Sequence, residues 1–496
     1  AEGFLTTASG NYSHAEGNNN VALGTGTHAE GKDTSAEGIY SHAEGRNTVT
    51  VGEYSHAEGR NTLASHSYSH AEGYFTTASG LYSHTEGYLT RATRAYSHAE
   101  GYNTLTEGSK NYNHAEGLHT TASGEGAHAE GSGSLASGEA AHAEGRDTLA
   151  SGNYSHAEGR STHANTTNSH AEGYFTSASS PSSHAEGRET KTTAPFSHAE
   201  GHKTLTTETG SHAEGFATTS SGYYTHTEGY HTTASGTGSH AEGYFTHATF
   251  NYSHAEGIET LASSLGSHAE GRYSSASGAY THAEGYNTSA QVDYAHAEGI
   301  STIAAGTGAH AEGYLTNVHG GDYSHAEGQS CKVDSAQSAH AEGYLTTASN
   351  AFAHSQGHLT IASGQASFSS GYQSLANKNY AFTHGSQITS SQASGSYLGQ
   401  YNNTSSAGDA PFKDTFNIGV GHSHAKRTNA FEAGFYQGDP SSEGNVPYIV
   451  LPVKTSTQST IGTSEYGSNP PTGSCFFDFS NSRIYVYNGT AWNNDV

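Results

Sequence analysis

The chain has 496 residues, a formal net charge of −27 and only 32% hydrophobic residues, while 63 residues are glycine. A globular chain of this length needs large apolar cores, and this composition excludes them, so order has to come from a repeat architecture. The excess of carboxylates argues against nucleic-acid and anionic-membrane partners, because nothing offsets their repulsion from phosphate groups. No apolar run approaches the ~20 residues of a membrane-spanning helix, so we expect no membrane insertion.

The start of the sequence and its two cysteines each give one expectation. The chain begins within a repeat unit and contains no methionine. We therefore expect a fragment or a processed product, and the lack of an N-terminal signal segment carries little weight. Cys331 and Cys475 lie in different regions of the sequence, and we expect two free thiols.

A repeat of 14 residues dominates the first 400 residues. The tetrad His-Ala-Glu-Gly, or a close variant, occurs 25 times between His14 and His354, and all steps but three are 14 residues long. We number each unit from its histidine, which is position 0. Position −1 is mostly Ser, +3 is always Gly, +6 is Thr in 21 units and +8 is Ala in 18 units, whereas +7 varies freely. Phe368, Phe382 and Ser396 continue the histidine position, and such a period predicts a solenoid.

The alternation of small and large residues predicts the shape of one coil. A strand turns successive side chains to opposite faces, so Ser-His-Ala-Glu-Gly places Ser, Ala and Gly on one face and His and Glu on the other. The second half, Thr-x-Ala-Ser-Gly, places Thr, Ala and Gly on one face. We therefore expect two short strands and two turns around a narrow interior, with inward Thr hydroxyls hydrogen-bonded along the stack. Frequent glycine argues against a helix, and its spacing argues against collagen.

This pattern resembles the head domains of trimeric autotransporter adhesins. Those heads repeat S-V-A-I-G-x-x-[A/S]-x-A-x-G in left-handed parallel β-rolls, and Thr148–Gly152 matches the second half of that motif. The resemblance covers residues 1–400 and implies an all-β fold, a left-handed parallel β-roll or β-solenoid with 14-residue coils, and a homotrimer of side-by-side rolls. The chemistry departs from the family, because His and Glu stand where the family has Val and Ile.

Similar repeats occur in phage tail and appendage proteins and in prophage-derived surface proteins. Phe416–Gly434 resembles the segment that closes β-roll shafts in such proteins, and Cys475–Trp492 resembles the hairpin tips of phage tail fibres. These resemblances imply a β-roll shaft over residues 1–400, a transition segment over 401–440 and a small β-rich C-terminal tip over 441–496.

The repeated His and Glu are expected to form a ladder along the shaft. Stacked coils place each Glu about 5 Å from the next, and like charges at that distance repel by roughly 1 kcal/mol or more. A neighbouring imidazole can share a proton with the carboxylate, so we expect a hydrogen-bonded structural ladder at the face between subunits. Because imidazole titrates near neutral pH, the ladder is also a candidate pH sensor. Its representative residues are His14, Glu16, His28, Glu30, His42, Glu44, His142, Glu144, His240 and Glu242.

Metal binding and catalysis are two other candidate functions of the ladder. His and Glu are good zinc ligands, but a specific metal site is a local cluster and this is a uniform array. Carboxylates about 5 Å apart serve retaining glycosidases, but catalysis needs two carboxylates in different environments, and no coil stands out. We therefore predict no catalytic residues, no metal site and no cofactor, and we expect that the protein is not an enzyme.

Aromatic residues mark the turns and the C-terminal tip. Tyrosines recur at positions −2 and +4, where stacked rings covering the turns are favoured over a sugar-binding surface. The tip has the least repetitive sequence, and its candidate contact residues are Phe477, Tyr485, Tyr487 and Trp492. The alternative for the tip is a trimerisation cap that covers the open end of the solenoid.

Together these features predict a structural fibre protein. The favoured function is the shaft and distal tip of a phage tail fibre or virion appendage that attaches to a host-surface carbohydrate or protein. The alternative is a bacterial cell-surface or secreted trimeric adhesin or filament. Both functions place the protein outside the cell, on a virion or on a cell surface.

Overall fold

A computed structural model of the chain describes residues 1–390, 392–401, 412–420, 429–436, 446–450, 475–478, 483–487 and 492–493. Every regular element in these residues is a β-strand. The chain divides into two compact units, Ala1–Ile258 and Glu259–Val496. Within each unit the strands stack in parallel with about 14 residues per turn, which confirms the predicted all-β parallel solenoid. The left-handed sense of the coil stays a prediction.

In the first unit each coil contributes one long strand and one two-residue strand. The long strands are Glu2–Phe4, His14–Asn18, His28–Lys32, His42–Arg46, His56–Arg60, His70–Tyr74, His84–Tyr88, His98–Tyr102, His114–Leu118, His128–Ser132, His142–Arg146, His156–Arg160, His170–Tyr174, His184–Arg188, His198–His202, His212–Phe216, His226–Tyr230, His240–Tyr244 and His254–Ile258. The short strands are Thr7–Ala8, Val21–Ala22, Ser35–Ala36, Val49–Thr50, Leu63–Ala64, Thr77–Ala78, Arg91–Ala92, Leu105–Thr106, Thr121–Ala122, Leu135–Ala136, Leu149–Ala150, His163–Ala164, Ser177–Ala178, Lys191–Thr192, Leu205–Thr206, Thr219–Ser220, Thr233–Ala234 and His247–Ala248.

The second unit repeats this arrangement and then departs from it. Its long strands are His268–Arg272, His282–Tyr286, His296–Ile300, His310–Tyr314, His325–Gln329, His340–Tyr344, His354–His358, Phe368–Tyr372, Phe382–Ser386 and Ser396–Gln400. Its short strands are Leu261–Ala262, Ser275–Ala276, Ser289–Ala290, Ile303–Ala304, Asn317–His319, Lys332–Asp334, Thr347–Ala348, Ile361–Ala362 and Leu375–Ala376. The last described strands are Phe412–Val420, Asn429–Tyr436, Val446–Val450, Cys475–Asp478, Arg483–Tyr487 and Trp492–Asn493.

Backbone hydrogen bonds between successive coils hold the stack together. Within the repeats of each unit a strand pairs with the equivalent strand one coil further on, so that His142 lies beside His156. The His142 amide donates to the carbonyl of Ser155, and the Leu149 amide donates to the carbonyl of Thr162, both at 2.9 Å. The buried backbone is therefore satisfied along the stack, and order does not require a large apolar core.

The interior contains small side chains, as the sequence predicts. Ala143 at position +1 and Ala150 at position +8 are fully buried, and Ser155 at position −1 is 2% exposed. The Ser155 hydroxyl donates to the carbonyl of Gly152 at 2.6 Å, which satisfies it within its own turn. Gly145, at position +3, is half-buried, so the assignment of this glycine to the interior face was wrong.

The threonines at position +6 point inward, but their hydroxyls are not hydrogen-bonded along the stack as expected. Thr148 is 1% exposed, and its hydroxyl has no hydrogen-bond partner. Serine at the same position does find one, because Ser134 donates to the carbonyl of Gly145 at 3.1 Å. The threonine column therefore contributes packing rather than a hydroxyl ladder.

The narrow interior limits the size of side chains at position +8. In 14-residue coils of the described chain this position holds Ala, Ser or Thr, and the buried Thr192 shows that a β-branched side chain fits. We expect Ala150→Leu to lower the free energy of unfolding by about 1–3 kcal/mol, because extra methylene groups overfill a packed core. Ala150→Thr is the matched control and should change it by less than about 1 kcal/mol. Urea unfolding of the two variants checks this, and equal stabilities would refute a size-limited interior.

Glycine at position +3 is required by the close approach of adjacent coils. Gly145 has φ +114°, a conformation that L side chains rarely adopt. A Cβ atom there would overlap the carbonyl oxygen of Gly159 in the next coil. Position +3 therefore requires glycine because the backbones of adjacent coils pack closely there, and not because the residue is buried.

Two residues of each coil adopt left-handed conformations at the turns. Asp147, at position +5, has φ 55°, and Tyr154, at position −2, has φ 58°. A left-handed residue with a side chain costs roughly 1–2 kcal/mol, although Asp and Asn tolerate it better. Stacking offsets part of this cost at −2, since the rings of Tyr54 and Tyr68 lie 5.2 Å apart and are nearly parallel.

Longer coils keep the register of the stack. The coil from His310 to His325 has 15 residues, and its short strand Asn317–His319 has three residues instead of two. Val318 replaces the usual alanine there and pairs with Val333 of the next coil. The extra residue is thus absorbed on the short-strand side, and the His310–His325 pairing is preserved.

Near the C-terminus the parallel stack turns into an antiparallel sheet. Phe412–Val420 pairs in parallel with Ser396–Gln400, so Phe416 occupies the histidine position. Its other edge pairs antiparallel with Asn429–Tyr436, which in turn pairs antiparallel with Val446–Val450. Parallel pairing therefore continues into the segment predicted as the transition over 401–440.

Candidate functional site

The histidine–glutamate ladder consists of the residues at positions 0 and +2 of the long strands. Both positions lie on the outer face of the strand, because they alternate with the buried Ser and Ala. His142 and Glu144 are typical, with side chains 36% and 45% exposed. The ladder residues are therefore partly covered in a single chain and still present a continuous polar face within each unit.

Each predicted His–Glu pair is brought together within its own coil. The Nε2–Oε2 distance is 3.6 Å for His14–Glu16, 3.4 Å for His28–Glu30, 3.9 Å for His42–Glu44, 3.6 Å for His142–Glu144 and 3.9 Å for His240–Glu242. At these separations an ion pair forms only when the imidazole is protonated. The Nε2 atoms of His28, His42, His142 and His240 are buried without a hydrogen-bond partner, so the expected His–Glu hydrogen bond is not formed within one chain.

The imidazole rings stack on one another instead. The ring centroids of His142 and His156 are 4.7 Å apart with an interplanar angle of 1°, and those of His184 and His198 are 4.6 Å apart at 2°. This spacing follows from the distance between coils, which fixes every ring above the next. The ladder therefore has two lines, one of stacked imidazoles and one of carboxylates.

Burial keeps many ladder histidines neutral. Partial burial lowers the pKa of His42, and the neighbouring His56 and His28 lower it further, while Glu44 and Glu30 oppose the shift. For His184 the same causes, burial first and then His170 and His198, lower the pKa to about 4. Neutral imidazoles can stack without mutual repulsion, and an unprotonated nitrogen is also a metal ligand.

Local clusters of ligand atoms from adjacent coils were not predicted, because the ladder was treated as a uniform array. One donor atom each from His184, Glu186 and His198 lie within 4.8 Å of one another. The sequence contains the signal for this cluster, because strict 14-residue spacing places His184 beside His198 once parallel pairing is assumed.

The ladder changes character in the second unit. Gln356 and Ser370 replace the glutamate in successive coils, and Phe368 and Phe382 replace the histidine. The rings of Phe368 and Phe382 stack at 5.0 Å and 8°, so phenylalanine substitutes for histidine without loss of stacking.

The aromatic residues at the turns stack as expected. The rings of Tyr68 and Tyr82 lie 4.7 Å apart at position −2, and those of Tyr88 and Tyr102 lie 4.8 Å apart at position +4. The flat faces are occupied by neighbouring rings, which leaves mainly ring edges in solvent. This arrangement favours turn covering over a sugar-stacking platform.

The predicted hairpin near the C-terminus is present. Cys475–Asp478 pairs antiparallel with Arg483–Tyr487, which places Phe477 beside Ile484. Tyr487 in turn pairs with Trp492. Phe477, Tyr485, Tyr487 and Trp492 thus share one small sheet, and a role in receptor contact stays a prediction.

Two further expectations concern the cysteines and the membrane. Cys331 is buried and free, as predicted, whereas the side chain of Cys475 lies outside the described part of the chain. Among the residues described, no helix has the length and hydrophobicity to cross a bilayer.

Comparison with known proteins agrees with this geometry. The family model described as the YadA head domain repeat matches residues 1–27, 115–141 and 129–155. No curated protein matches the chain. The matched segments lie in the first unit and include the buried Ala, the half-buried Gly and the outward His and Glu of the repeat. Over these matched residues the repeat is therefore similar to the adhesin-like β-roll repeat of the YadA head, as found in trimeric autotransporter adhesins.

Proposed function

We propose that this chain forms the shaft and distal tip of a phage tail fibre or virion appendage that attaches to a host surface. The observation that carries the proposal is the stack of parallel 14-residue coils, which is similar to the YadA head repeat over matched segments of the first unit, because such repeats are typical of adhesin-like structural fibres on surfaces. The antiparallel strands after Phe412–Val420 and the hairpin of Cys475–Asp478 with Arg483–Tyr487 support the comparison with phage fibres.

The shaft assembles as a homotrimer through the ladder. Its His and Glu stand at the positions that hold Val and Ile in adhesin heads. In one chain the Nε2 atoms of His142 and His240 have no hydrogen-bond partner, although they are shielded from solvent. A second roll packed against this face supplies hydrogen-bond partners for these two nitrogens. Each nitrogen that gains a partner no longer carries the cost of an unsatisfied buried polar group, which is about 1–3 kcal/mol.

The protein acts mechanically and by adhesion, not as a catalyst. A solenoid of near-identical coils gives each His–Glu pair a similar environment, whereas catalytic acids and bases need different ones. His–Glu pairs with an Nε2–Oε2 distance between 3.4 and 4.0 Å recur along both units, from His14–Glu16 to His325–Glu327.

A bacterial cell-surface or secreted trimeric adhesin is the second candidate function. The YadA-type repeat favours it as strongly as it favours a virion fibre. The two candidates share the fold, the ladder and the trimer, and they differ in where the protein is found.

Immunogold electron microscopy with antibodies against the purified chain separates the two candidates. We expect gold on the appendages of virus particles and none on uninfected cells. Gold on the surface of uninfected cells would instead support the adhesin, and gold on neither surface would contradict both candidates.

The tip is proposed to make the host contact. We expect Tyr487→Ala combined with Trp492→Ala to weaken binding to host cells at least tenfold, because these aromatic residues pair across two strands and aromatic side chains dominate binding energy. Tyr154→Ala, an exposed turn residue of the first unit, is the matched control and should bind normally. Binding of fluorescently labelled protein to cells measures both variants. Equal binding by the two would place the contact elsewhere.

A further inference from the structure

We propose that the histidine–glutamate ladder binds divalent transition-metal ions of the zinc class, each held by two histidines from adjacent coils and one glutamate. This inference goes beyond the proposed fibre function and does not depend on it, because every contact that it uses lies within one chain.

The parallel register creates local clusters of ligand atoms. In the first unit, donor atoms of His184, Glu186 and His198 all lie within 4.8 Å of one another. The His184 Nε2 and Glu186 Oε2 atoms are 3.8 Å apart, and the two imidazole rings are 4.6 Å apart. The uniform array seen in the sequence therefore becomes a series of three-ligand clusters, which is the feature that a specific metal site needs.

The second unit contains two such clusters in succession. His310, Glu312 and His325 form one, and His325, Glu327 and His340 form the other. The two clusters share His325. Because one imidazole nitrogen binds one ion, we expect only one of these two clusters to hold an ion at a time. In the described residues, His70, Glu72 and His84 form a further cluster with two histidines, whereas Glu270, His282 and Glu284 form a cluster with one histidine and are not counted as a proposed site.

The nitrogens of these clusters are available for coordination. The Nε2 atoms of His184, His198, His310 and His325 are all shielded from solvent and lack a hydrogen-bond partner. An imidazole nitrogen that accepts nothing from the protein keeps its lone pair for a metal ion. A bound cation also offsets the repulsion between stacked glutamates, which is roughly 1 kcal/mol or more for each neighbouring pair.

The donor set selects the class of metal. Imidazole nitrogens suit Zn²⁺, Cu²⁺ and Ni²⁺, whereas Mg²⁺ and Ca²⁺ prefer all-oxygen sites. Ligands of tetrahedral zinc are about 2.0–2.2 Å from the ion and hence about 3.3 Å from each other. The His310 Nε2–Glu312 Oε2 distance is 3.9 Å, about 0.6 Å longer than that value. Water completes the coordination of each ion.

Equilibrium dialysis of the full chain against Zn²⁺ at neutral pH, followed by elemental analysis, tests the proposal. Three of the clusters with two histidines can be filled at once, so we expect about three zinc ions per chain and little retained Mg²⁺ in a parallel dialysis. X-ray absorption at the zinc edge should show about two imidazoles per zinc. Zinc retention no greater than magnesium retention, or zinc with oxygen ligands only, would overturn the proposal.

Two triple variants locate the ions. The ladder variant combines His310→Phe, His325→Phe and His340→Phe, which keeps ring stacking because phenylalanine already stacks at Phe368 and Phe382. The control combines His163→Phe, His247→Phe and His319→Phe, all outside the ladder. We expect the ladder variant to retain at least one zinc ion fewer and the control to match the wild type. Equal zinc loss by both variants contradicts the proposal. The absorption measurement on the wild type decides it independently if a variant does not fold.

Discussion

Gly145→Ala is expected to lower the free energy of unfolding by about 3 kcal/mol or more. The glycine has φ +114°, and a Cβ atom on it would overlap the carbonyl oxygen of Gly159 in the next coil. Backbone strain of this kind alone costs about 1–3 kcal/mol, and separating the two coils also breaks hydrogen bonds between them. Because repeat proteins are stabilised by contacts between neighbouring coils, the damage begins at this interface and weakens the whole first unit.

Gly126→Ala is the matched control for this variant. Gly126 also has positive φ, +63°, but no atom lies within 4 Å of a Cβ built on it. Tyrosine occupies the equivalent position −2 in many coils, including Tyr112 in the coil before it. We therefore expect a loss of only about 1–2 kcal/mol, which is the cost of a left-handed residue with a side chain. Urea unfolding compares the two variants, and a Gly145→Ala protein as stable as the Gly126→Ala protein would show that the coils are not packed through this glycine.

Acidification from pH 7.5 to pH 5 is expected to destabilise the fold. Burial and the adjacent histidines lower the pKa of His42, His212 and His240, and they lower the pKa of His184 to about 4. The unfolded chain therefore binds protons more readily than the folded chain. The stability that these groups contribute is present above their unfolded pKa of about 6.5, and it is lost as the pH falls through their folded pKa values.

The charges around each imidazole set the size of this effect. His212 faces His198 and His226 in the adjacent coils, together with Glu214 and Glu200. Full protonation of the 36 histidines changes the formal charge from −27 to +9, so repulsion accumulates along the stack. Thermal unfolding between pH 7.5 and pH 5 should show a continuous fall in melting temperature. A melting temperature that stays constant, or rises, would contradict the pKa directions.

A chain with fewer ladder histidines provides the control for the pH series. Replacing His184, His198 and His212 with phenylalanine removes three adjacent imidazoles, two of which have lowered pKa values, and keeps stacked rings at those positions. The melting temperature of this variant should depend less steeply on pH than that of the wild type. An equal pH dependence would assign the acid sensitivity to groups outside the ladder.

The coil was predictable because its causes lie in adjacent residues. Alternation of small and large residues placed Ala143 and Ala150 inside, and strict spacing placed His142 beside His156. The partners of the inward hydroxyls were not predictable, because Thr148 and Ser134 occupy the same position and only the serine reaches a carbonyl. That difference depends on side-chain geometry inside the stack, which the pattern of residue types does not contain.

The ladder was predictable in position but not in its contacts. The repeat placed His142 and Glu144 on the outer face, where they lie 3.6 Å apart. It did not reveal that the Nε2 atom of His142 lacks a hydrogen-bond partner, or that burial lowers the pKa of His184 to about 4. Both facts depend on how closely successive rings cover one another, which follows from the spacing between coils.

The central claim is that three rolls assemble through the ladder into a fibre shaft. Multi-angle light scattering of the purified chain at pH 7.5, coupled to size-exclusion chromatography, tests it most directly. The account predicts a mass three times that of the 51.6 kDa chain. A mass of one chain, from protein whose circular dichroism shows an intact β-fold, would contradict it.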